Sequence, residues 1–247
     1  MPATRLMNRA VVSLSPSDGS EEVVDFLQGL LTNDVSKALP VYAGLLTPQG
    51  KALFDVIVWP GGNGEVLIDC EAEAADDLAK RLSLYRLRRK IDISVDPNIH
   101  VHWSKECFAD RQFDPRHPDL GRRWLAWKAE DTKAADETYM AHRLALGVPE
   151  GRAELGDILW LETNAVELHG VAFDKGCYIG QENTARMNWR SKVNRRLVVV
   201  PLDKSDEKRR KVAYENLGLA VDHLRVSDID IENAPEWMRS GLTPSEA

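Results

Sequence analysis

The residue best placed to do chemistry in this chain is a cysteine that stands between two glycines. Cys177 follows Gly176 directly and precedes Gly180 by three positions, so the backbone is free to turn tightly beside the thiol. Lys175 and Arg186 flank it in sequence, and nearby positive charge favours the thiolate. A helix predicted to begin near Gly180 acts in the same direction through its positive end. The pattern predicts a nucleophilic or metal-binding thiol, and the alternative is burial as a small hydrophobic residue.

The remaining cysteines and the histidines give no pattern of metal ligands. Cys70 ends an apolar strand and Cys107 lies in a polar stretch, and a structural role is predicted for both. The sequence contains no C-x-x-C pair, and its six histidines have no ligand spacing. No metal site is therefore predicted, neither structural zinc nor a self-held iron–sulfur cluster.

Composition excludes several classes of protein. Hydrophobic residues make up 43% of the 247 positions and charged residues 29%, a balance typical of a chain with a sizeable folded core. The net charge of −7 argues against direct nucleic-acid binding through bulk charge. Basic clusters at 86–90 and 186–196 are either anion sites or solvated faces. No secretory signal or long apolar run is present, so the expectation is a cytoplasmic protein that does not contact a membrane.

The elements that must position these residues mix strands, tight turns and helices without strict β–α–β alternation. Helical spacing predicts helices at 20–31, capped by Ser20, at 72–89 and at 134–146. Short apolar segments between turn residues predict strands at 10–14, 41–46, 52–59, 65–70, 91–95, 99–103, 123–128 and 197–202, with one or two more within 217–231. Residues 105–121 are predicted to be a surface loop and 203–211 a charged linker. The fold class indicated is α+β, built on antiparallel sheet.

A resemblance to a known family is carried by several blocks of sequence. The string Lys175-Gly176-Cys177-Tyr178-Ile179-Gly180-Gln181-Glu182 is similar to the signature of YgfZ-type proteins, folate-binding relatives of the glycine cleavage T-protein. Further matches are FLQGLLTNDV at 26–35, LLTPQGK at 45–51, LYRLR at 84–88, GVPEG at 147–151 and ETN at 162–164. The likeness covers roughly residues 10 to 200.

The resemblance implies a fold and a role. The fold is a multi-domain ring around a central cavity for tetrahydrofolate or a derivative, with a core at 1–193 and a shortened C-terminal β-barrel at 194–247. The role is that of a folate-binding accessory protein that supports assembly or repair of iron–sulfur clusters in client enzymes, with a link to tRNA modification. Iron–sulfur client or assembly proteins are the implied partners.

The resemblance also implies site residues. Cys177 is the functional thiol, and the residues implied at the cofactor are Lys175, Gly176, Tyr178, Gly180, Gln181, Glu182, Arg186, Arg86, Glu162 and Asn164. The T-protein carries a pair of acids in the strand that here retains only Asp55. One alternative is a tetrahydrofolate-dependent aminomethyl or one-carbon transferase that uses Asp55 as a catalytic group, and another is a scaffold with a vestigial cavity.

Overall fold

A five-stranded antiparallel sheet forms the centre of the chain in a computed structural model that describes residues 3–18, 22–106, 110–127, 133–189 and 193–242. Its strands are β2 (Arg9–Pro16), β3 (Val41–Leu46), β4 (Ala52–Pro60), β5 (Val66–Glu71) and β6 (Ile91–Asp96). They lie in the spatial order β3–β4–β5–β2–β6, so β3 and β6 are its edges.

The side-chain alternation of a strand gives this sheet two different faces. One face packs against helices α1 (Val23–Gln28) and α2 (Ala75–Arg86) in an apolar cluster that contains Val56, Val58 and Leu78. The opposite face packs into a second cluster that includes Val11, Ile57 and Leu67. Asp55 and Asp69 alternate in step with Ile57 and Leu67, so their carboxylates belong to the face opposite α2.

A second sheet covers that opposite face. It consists of β1 (Ala3–Arg5), β7 (Ile99–Ser104), β8 (Arg122–Trp127) and β9 (Lys133–Ala134), in the order β8–β7–β1–β9. Helix α3 (Asp136–Ala145) packs on it through Tyr139, whose ring centroid lies 5.2 Å from that of Trp103. Because one apolar cluster includes residues of both sheets, they share a core.

The C-terminal part forms a third sheet. Its strands β10 (Arg195–Pro201), β11 (Arg210–Tyr214) and β12 (Leu219–Arg225) are antiparallel in the order β10–β12–β11. Leu197 and Val221 join the apolar cluster that contains Trp160. Three further helices are α4 (Arg152–Leu155), α5 (Gln181–Trp189) and α6 (Glu236–Arg239). No helix in the described part of the chain is long and apolar enough to cross a membrane.

The α+β class with antiparallel sheets is confirmed, and most element bounds agree within two or three residues. Helix α1 is shorter than predicted because it ends at Gln28. Ser20, its predicted cap, lies outside the described residues, as does Cys107. The ring, the central cavity and the barrel remain predictions.

Two loop predictions are wrong. The 203–211 run is no mere linker, because it leads directly into β11. The 105–121 stretch is not all surface, since Asp114 is only 2% and Arg116 only 1% exposed. Such burial is possible because opposite charges neutralise one another. The hydropathy of the segment alone does not show whether an oppositely charged partner lies elsewhere in the chain.

Candidate functional site

The Cys177 loop, defined as residues 175–180, presents an exposed thiol between two inward-pointing side chains. Cys177 is exposed, whereas Lys175 and Tyr178 are buried. The loop lies beside the turn after β3, where a Cβ atom on Gly180 would come within 2.6 Å of the Thr47 carbonyl oxygen. The prediction of an accessible thiol is borne out by this geometry, and the burial alternative for Cys177 is not.

Lys175 anchors the loop to the segment that follows α1. Its ammonium donates hydrogen bonds to the carbonyl oxygens of Leu31, at 2.6 Å, and Asn33, at 2.9 Å. The same Nζ lies 5.2 Å from the centroid of the Tyr178 ring. Burial lowers the pKa of Lys175 to about 8. The contacts of this ammonium are therefore with backbone carbonyls and an aromatic face, which makes it a positioning group for the loop.

Helix α5 begins four residues after the cysteine and fixes the far end of the loop. The Gln181 N–H bonds the Tyr178 carbonyl at 3.2 Å, and the Asn183 side chain donates to the Gln49 carbonyl at 2.6 Å. Glu182 and Arg186 form an exposed i, i+4 ion pair at 3.0 Å. Arg186 and Glu182 also line a shallow surface cavity of about 270 Å³ with Trp189. Arg186 is thus near the thiol in sequence, but its guanidinium is paired on the outer face of α5.

Gly176 and Gly180 differ in whether their positions accept a side chain, and this difference can be tested. Gly180 has φ +84° and no room for a Cβ, whereas a Cβ on Gly176 meets nothing within 4 Å. We expect Gly180→Ala to lower the free energy of unfolding by about 1–3 kcal/mol, because it combines a strained φ with a backbone clash. Gly176→Ala, the matched control, should leave it within about 0.5 kcal/mol. Urea denaturation measures both, and equal effects would contradict the assignment.

A second group of polar residues lies beneath the central sheet, around Asp55. The Asp55 side chain is buried, and no hydrogen bond to its carboxylate is present among the residues that the structure describes. Burial raises the pKa of Asp55 to about 6, and the negative charges of Glu150 and Glu71 act in the same direction. The positive charges of Arg9 and Arg116 oppose this rise. Asp55 is thus poised to exchange a proton near neutral pH.

The arginines near Asp55 belong to a buried charge network. Arg116 bonds Asp114 at 2.6 Å and Glu150 at 2.5 Å, and Asp69 receives Arg9 at 2.7 Å and Arg123 at 2.8 Å. The Tyr139 hydroxyl links the two halves, since it accepts from Arg116 and Arg123 and donates to Glu150. The members of the network are Arg9, Asp69, Asp114, Arg116, Arg123, Tyr139 and Glu150.

Two guanidinium nitrogens of the network, Arg9 Nη1 and Arg123 Nη2, are buried without a hydrogen bond among the described residues. Arg123 Nη2 still lies 2.8 Å from the Asp69 carboxylate, whereas Arg9 Nη1 is 3.7 Å from Glu150 Oε1. Arg9 Nη1 is an unused donor, and Asp55, whose pKa the charge of Arg9 lowers, is an acceptor without a donor. A polar ligand that reached both groups would satisfy them. Sequence reasoning found Asp55 but missed Arg9 and its partners. Charged residues in otherwise apolar strands, such as Asp69, were the available signal.

The negative charge of Asp55 should lower the stability of the fold, whereas the charge of a carboxylate in an ion pair raises it. Its pKa is raised on folding, so the folded chain binds more protons than the unfolded chain between about pH 4 and 6, and stability falls as pH rises through that window. We expect Asp55→Asn to increase the free energy of unfolding at pH 7.5, by about 3 kcal/mol at most. The gain should vanish below about pH 4. Thermal unfolding midpoints of both proteins across this range measure it, and a variant less stable than the parent at pH 7.5 would refute the interpretation.

The other predicted site residues lie apart from these two groups. Arg86 ends α2 on the helix-covered side of the sheet, where its Nη1 bonds the Ile91 carbonyl at 2.9 Å. Glu162 pairs with His223 at 3.0 Å, and Asn164 donates to the Leu197 carbonyl at 2.9 Å. Arg86 is therefore not brought together with Asp55. Glu162 and Asn164 connect their segment to the C-terminal sheet.

Comparisons with known proteins give the evolutionary setting of these groups. No family model matches the chain. A mitochondrial iron–sulfur cluster assembly factor IBA57 homologue of Neurospora crassa is 31% identical over 233 residues, which cover 79% of this chain and 52% of that protein. The corresponding protein of Mycosarcoma maydis is 34% identical, with 78% and 55% covered, and mitochondrial IBA57 of Mus musculus is 31% identical, with 81% and 66% covered. The chain is thus similar in sequence to mitochondrial IBA57 assembly factors.

The IBA57 relatives are longer proteins, since the chain spans about half the length of the first two. Their names place them in mitochondria, so the prediction of a cytoplasmic location is contradicted. Among solved structures, the aminomethyltransferase T of the glycine cleavage system from Bartonella henselae matches with a TM-score of 0.64 and 10% identity, over 92% of this chain and 80% of that one. This likeness shows an aminomethyltransferase-like fold.

Among the described residues, no group of three or more histidine, cysteine, aspartate or glutamate side chains is arranged to hold a metal ion. Likewise, no hydrogen bond or ion pair within the described ranges joins the Cys177 loop to the network around Asp55. The molecule thus has two separate chemical features, an exposed thiol and the buried Asp55 carboxylate with the charge network that influences it.

Proposed function

We propose that the chain supports assembly or repair of iron–sulfur clusters, in the mitochondrion as the names of its IBA57 homologues indicate, with Cys177 as its working thiol. The observation that carries the proposal is the exposed Cys177 between two buried anchors, Lys175 and Tyr178. A side chain that the backbone holds in solvent is better suited to reaction with a partner than to packing in the core.

Cys177 contributes a single exposed thiol. It attacks an electrophile or binds one iron of a cluster, and in either case the thiolate form is the reactive one. One thiolate is one ligand, and iron–sulfur clusters are held by several. Cys177 would therefore act together with ligands from an iron–sulfur client or assembly protein, which makes the cluster a cargo rather than a resident cofactor.

A test of this function is rescue of cells that lack the homologous assembly factor. Expression of this chain with a mitochondrial targeting segment should restore the activity of the iron–sulfur enzymes that those cells have lost. An enzyme without a cluster, assayed in the same extract, is the control. If the chain accumulates in folded form and no iron–sulfur enzyme recovers, the proposed function is wrong.

The buried groups of Asp55 and Arg9 support tetrahydrofolate or a derivative as the ligand. A pterin ring presents ring N–H and amino donors beside acceptor atoms, which complement a carboxylate that accepts no hydrogen bond and a guanidinium N–H that donates none. The residues present thus fit the group, with Asp55 accepting and Arg9 Nη1 donating. When bound, tetrahydrofolate supplies nitrogen atoms that carry one-carbon units.

Folate binding is testable through the seven tryptophans of the chain. Tetrahydrofolate should quench their fluorescence saturably, and Asp55→Asn should weaken the binding at least about tenfold, which corresponds to about 1.4 kcal/mol. Free tryptophan titrated in parallel corrects for light absorbed by the ligand. Absence of saturable quenching at millimolar tetrahydrofolate would favour a scaffold whose cavity is vestigial.

A second candidate function is a tetrahydrofolate-dependent aminomethyl or one-carbon transferase. The observation that favours it is the raised pKa of Asp55, about 6, since a carboxyl group poised near neutrality suits proton transfer at a folate nitrogen. Formation of methylene-tetrahydrofolate from an aminomethyl donor, lost in Asp55→Asn, would place this function first. No product above the uncatalysed rate would exclude it.

A further inference from the structure

The end of helix α2 forms a basic corner on the side of the central sheet away from Asp55. We define the α2 corner as residues 80–90. Between residues 78 and 91 the sequence has six basic residues and no acidic one, in a chain whose net charge is −7. The basic residues are Lys80, Arg81, Arg86, Arg88, Arg89 and Lys90. The corner is thus a positive region on a protein that is negative overall.

Two leucines stand exposed within this basic region. Leu84 is 69% exposed and Leu87 is 85% exposed. Leu84 lies in the last turn of α2, and Leu87 follows the helix directly. Two exposed leucines within a basic segment differ from a solvated helix end, because burial of their apolar area on a partner is favourable.

The backbone at Leu87 gives an independent indication of function. Leu87 follows the last residue of α2 with φ 52° and ψ −110°, a left-handed conformation that is costly for a leucine and ordinary for glycine. The turn is held by the Arg86 side chain on the Ile91 carbonyl, at 2.9 Å, and by the Arg89 N–H on the Arg86 carbonyl, at 3.0 Å. A strained backbone conformation that holds an apolar side chain in solvent is typical of a binding site.

The shape and charge of the corner select its occupant. Residues 85–89 line an open cavity of about 660 Å³, large enough for side chains of a docked segment. Leucines three residues apart match the apolar stripe of an amphipathic helix, and the surrounding arginines match acidic residues on its flanks. A concave surface suits a protruding segment better than the flat face of a bilayer.

We propose that the α2 corner is a docking surface for an acidic amphipathic segment of a partner protein, with Leu84 and Leu87 as apolar anchors and Arg88 as a charge-pairing group. The assignment is independent of the proposed function, because it uses no residue of the Cys177 loop or of the Asp55 network.

The test uses the full chain and a fluorescent 16-residue helical peptide that carries leucines one turn apart and glutamates between them. Fluorescence anisotropy at low salt should show micromolar binding, at least about tenfold weaker for the Gln-for-Glu peptide and for Arg88→Glu. Lys204→Glu, an equal charge change at an exposed position after β10, is the control and should bind as the parent does.

The Leu87→Gly variant tests the role of the Leu87 side chain in binding without a loss of stability. Because glycine adopts the left-handed conformation without strain, this variant should unfold at the same or a higher temperature while its peptide affinity falls at least about fivefold. Unchanged affinity in Leu87→Gly or Arg88→Glu would overturn the proposal. So would tighter binding to vesicles that contain phosphatidylserine, or to a single-stranded RNA 20-mer, lost in the same variants, since the occupant would then be a lipid surface or RNA.

Discussion

Cys177→Ser is expected to abolish rescue of iron–sulfur enzyme activity and to leave the fold intact. The side chain is exposed, so replacing sulfur by oxygen removes little packing, and the unfolding midpoint should change by no more than about 2 °C. A hydroxyl is a far weaker nucleophile and iron ligand than a thiolate at neutral pH. Enzyme activities in cells that carry the variant should therefore fall to the level of the empty vector.

The chain offers a matched control for this substitution in Cys70. Cys70 is 1% exposed, and burial raises the pKa of its thiol to about 12, so it stays protonated and packs as a small hydrophobic residue. Cys70→Ala should cost about 1–2 kcal/mol of stability through lost packing and still rescue. Full rescue by Cys177→Ser, or loss of rescue in both variants alike, would remove the thiol of Cys177 from the function.

Arg116→Met is expected to be among the most destabilising single substitutions. Arg116 is 1% exposed and bonds Asp114, Glu150 and the Tyr139 hydroxyl, all of them buried. Burial opposes the ionisation of Glu150, and the guanidinium groups of Arg116, Arg9 and Arg123 reverse this and lower its pKa. Without Arg116 two buried carboxylates lose their main counter-charge, and a loss of about 3–5 kcal/mol is expected.

Two further variants test whether the loss of stability in Arg116→Met comes from the burial of its ion pairs. Arg186→Met breaks an exposed ion pair with Glu182 and should leave the urea midpoint nearly unchanged. The double variant Arg116→Met/Asp114→Leu should be less destabilised than the sum of the two single changes, because it also removes one of the two carboxylates that lose their partner. Additive losses in the double variant would show that the two groups do not act as a pair.

Much of the local structure could be predicted from the sequence because it follows from local periodicity. The strand at 41–46 agrees with β3 residue for residue, since a short apolar run and the turn after it are both local signals. The exposed cysteine loop was also foreseen, because Gly180 in fact adopts the left-handed conformation that glycine permits.

The buried charge network could not be predicted in this way. Arg9, Asp69, Asp114 and Glu150 come from distant parts of the chain, and each alone resembles a surface charge. Burial of a charge depends on the partner it meets in the folded state, and sequence spacing does not contain that information. The same limit misplaced the 105–121 stretch at the surface.

The sequence by itself determined the α+β class, the main strands and the thiol at Cys177, because periodicity, turn residues and a contiguous motif are local properties. Only the tertiary structure decided that Asp55 and Arg9 are buried on the same side of the central sheet, that Arg86 lies across the sheet from both, and that Leu87 is held outward. The physical reason is that strand alternation assigns each side chain to a face, but only packing of the three sheets determines what each face meets.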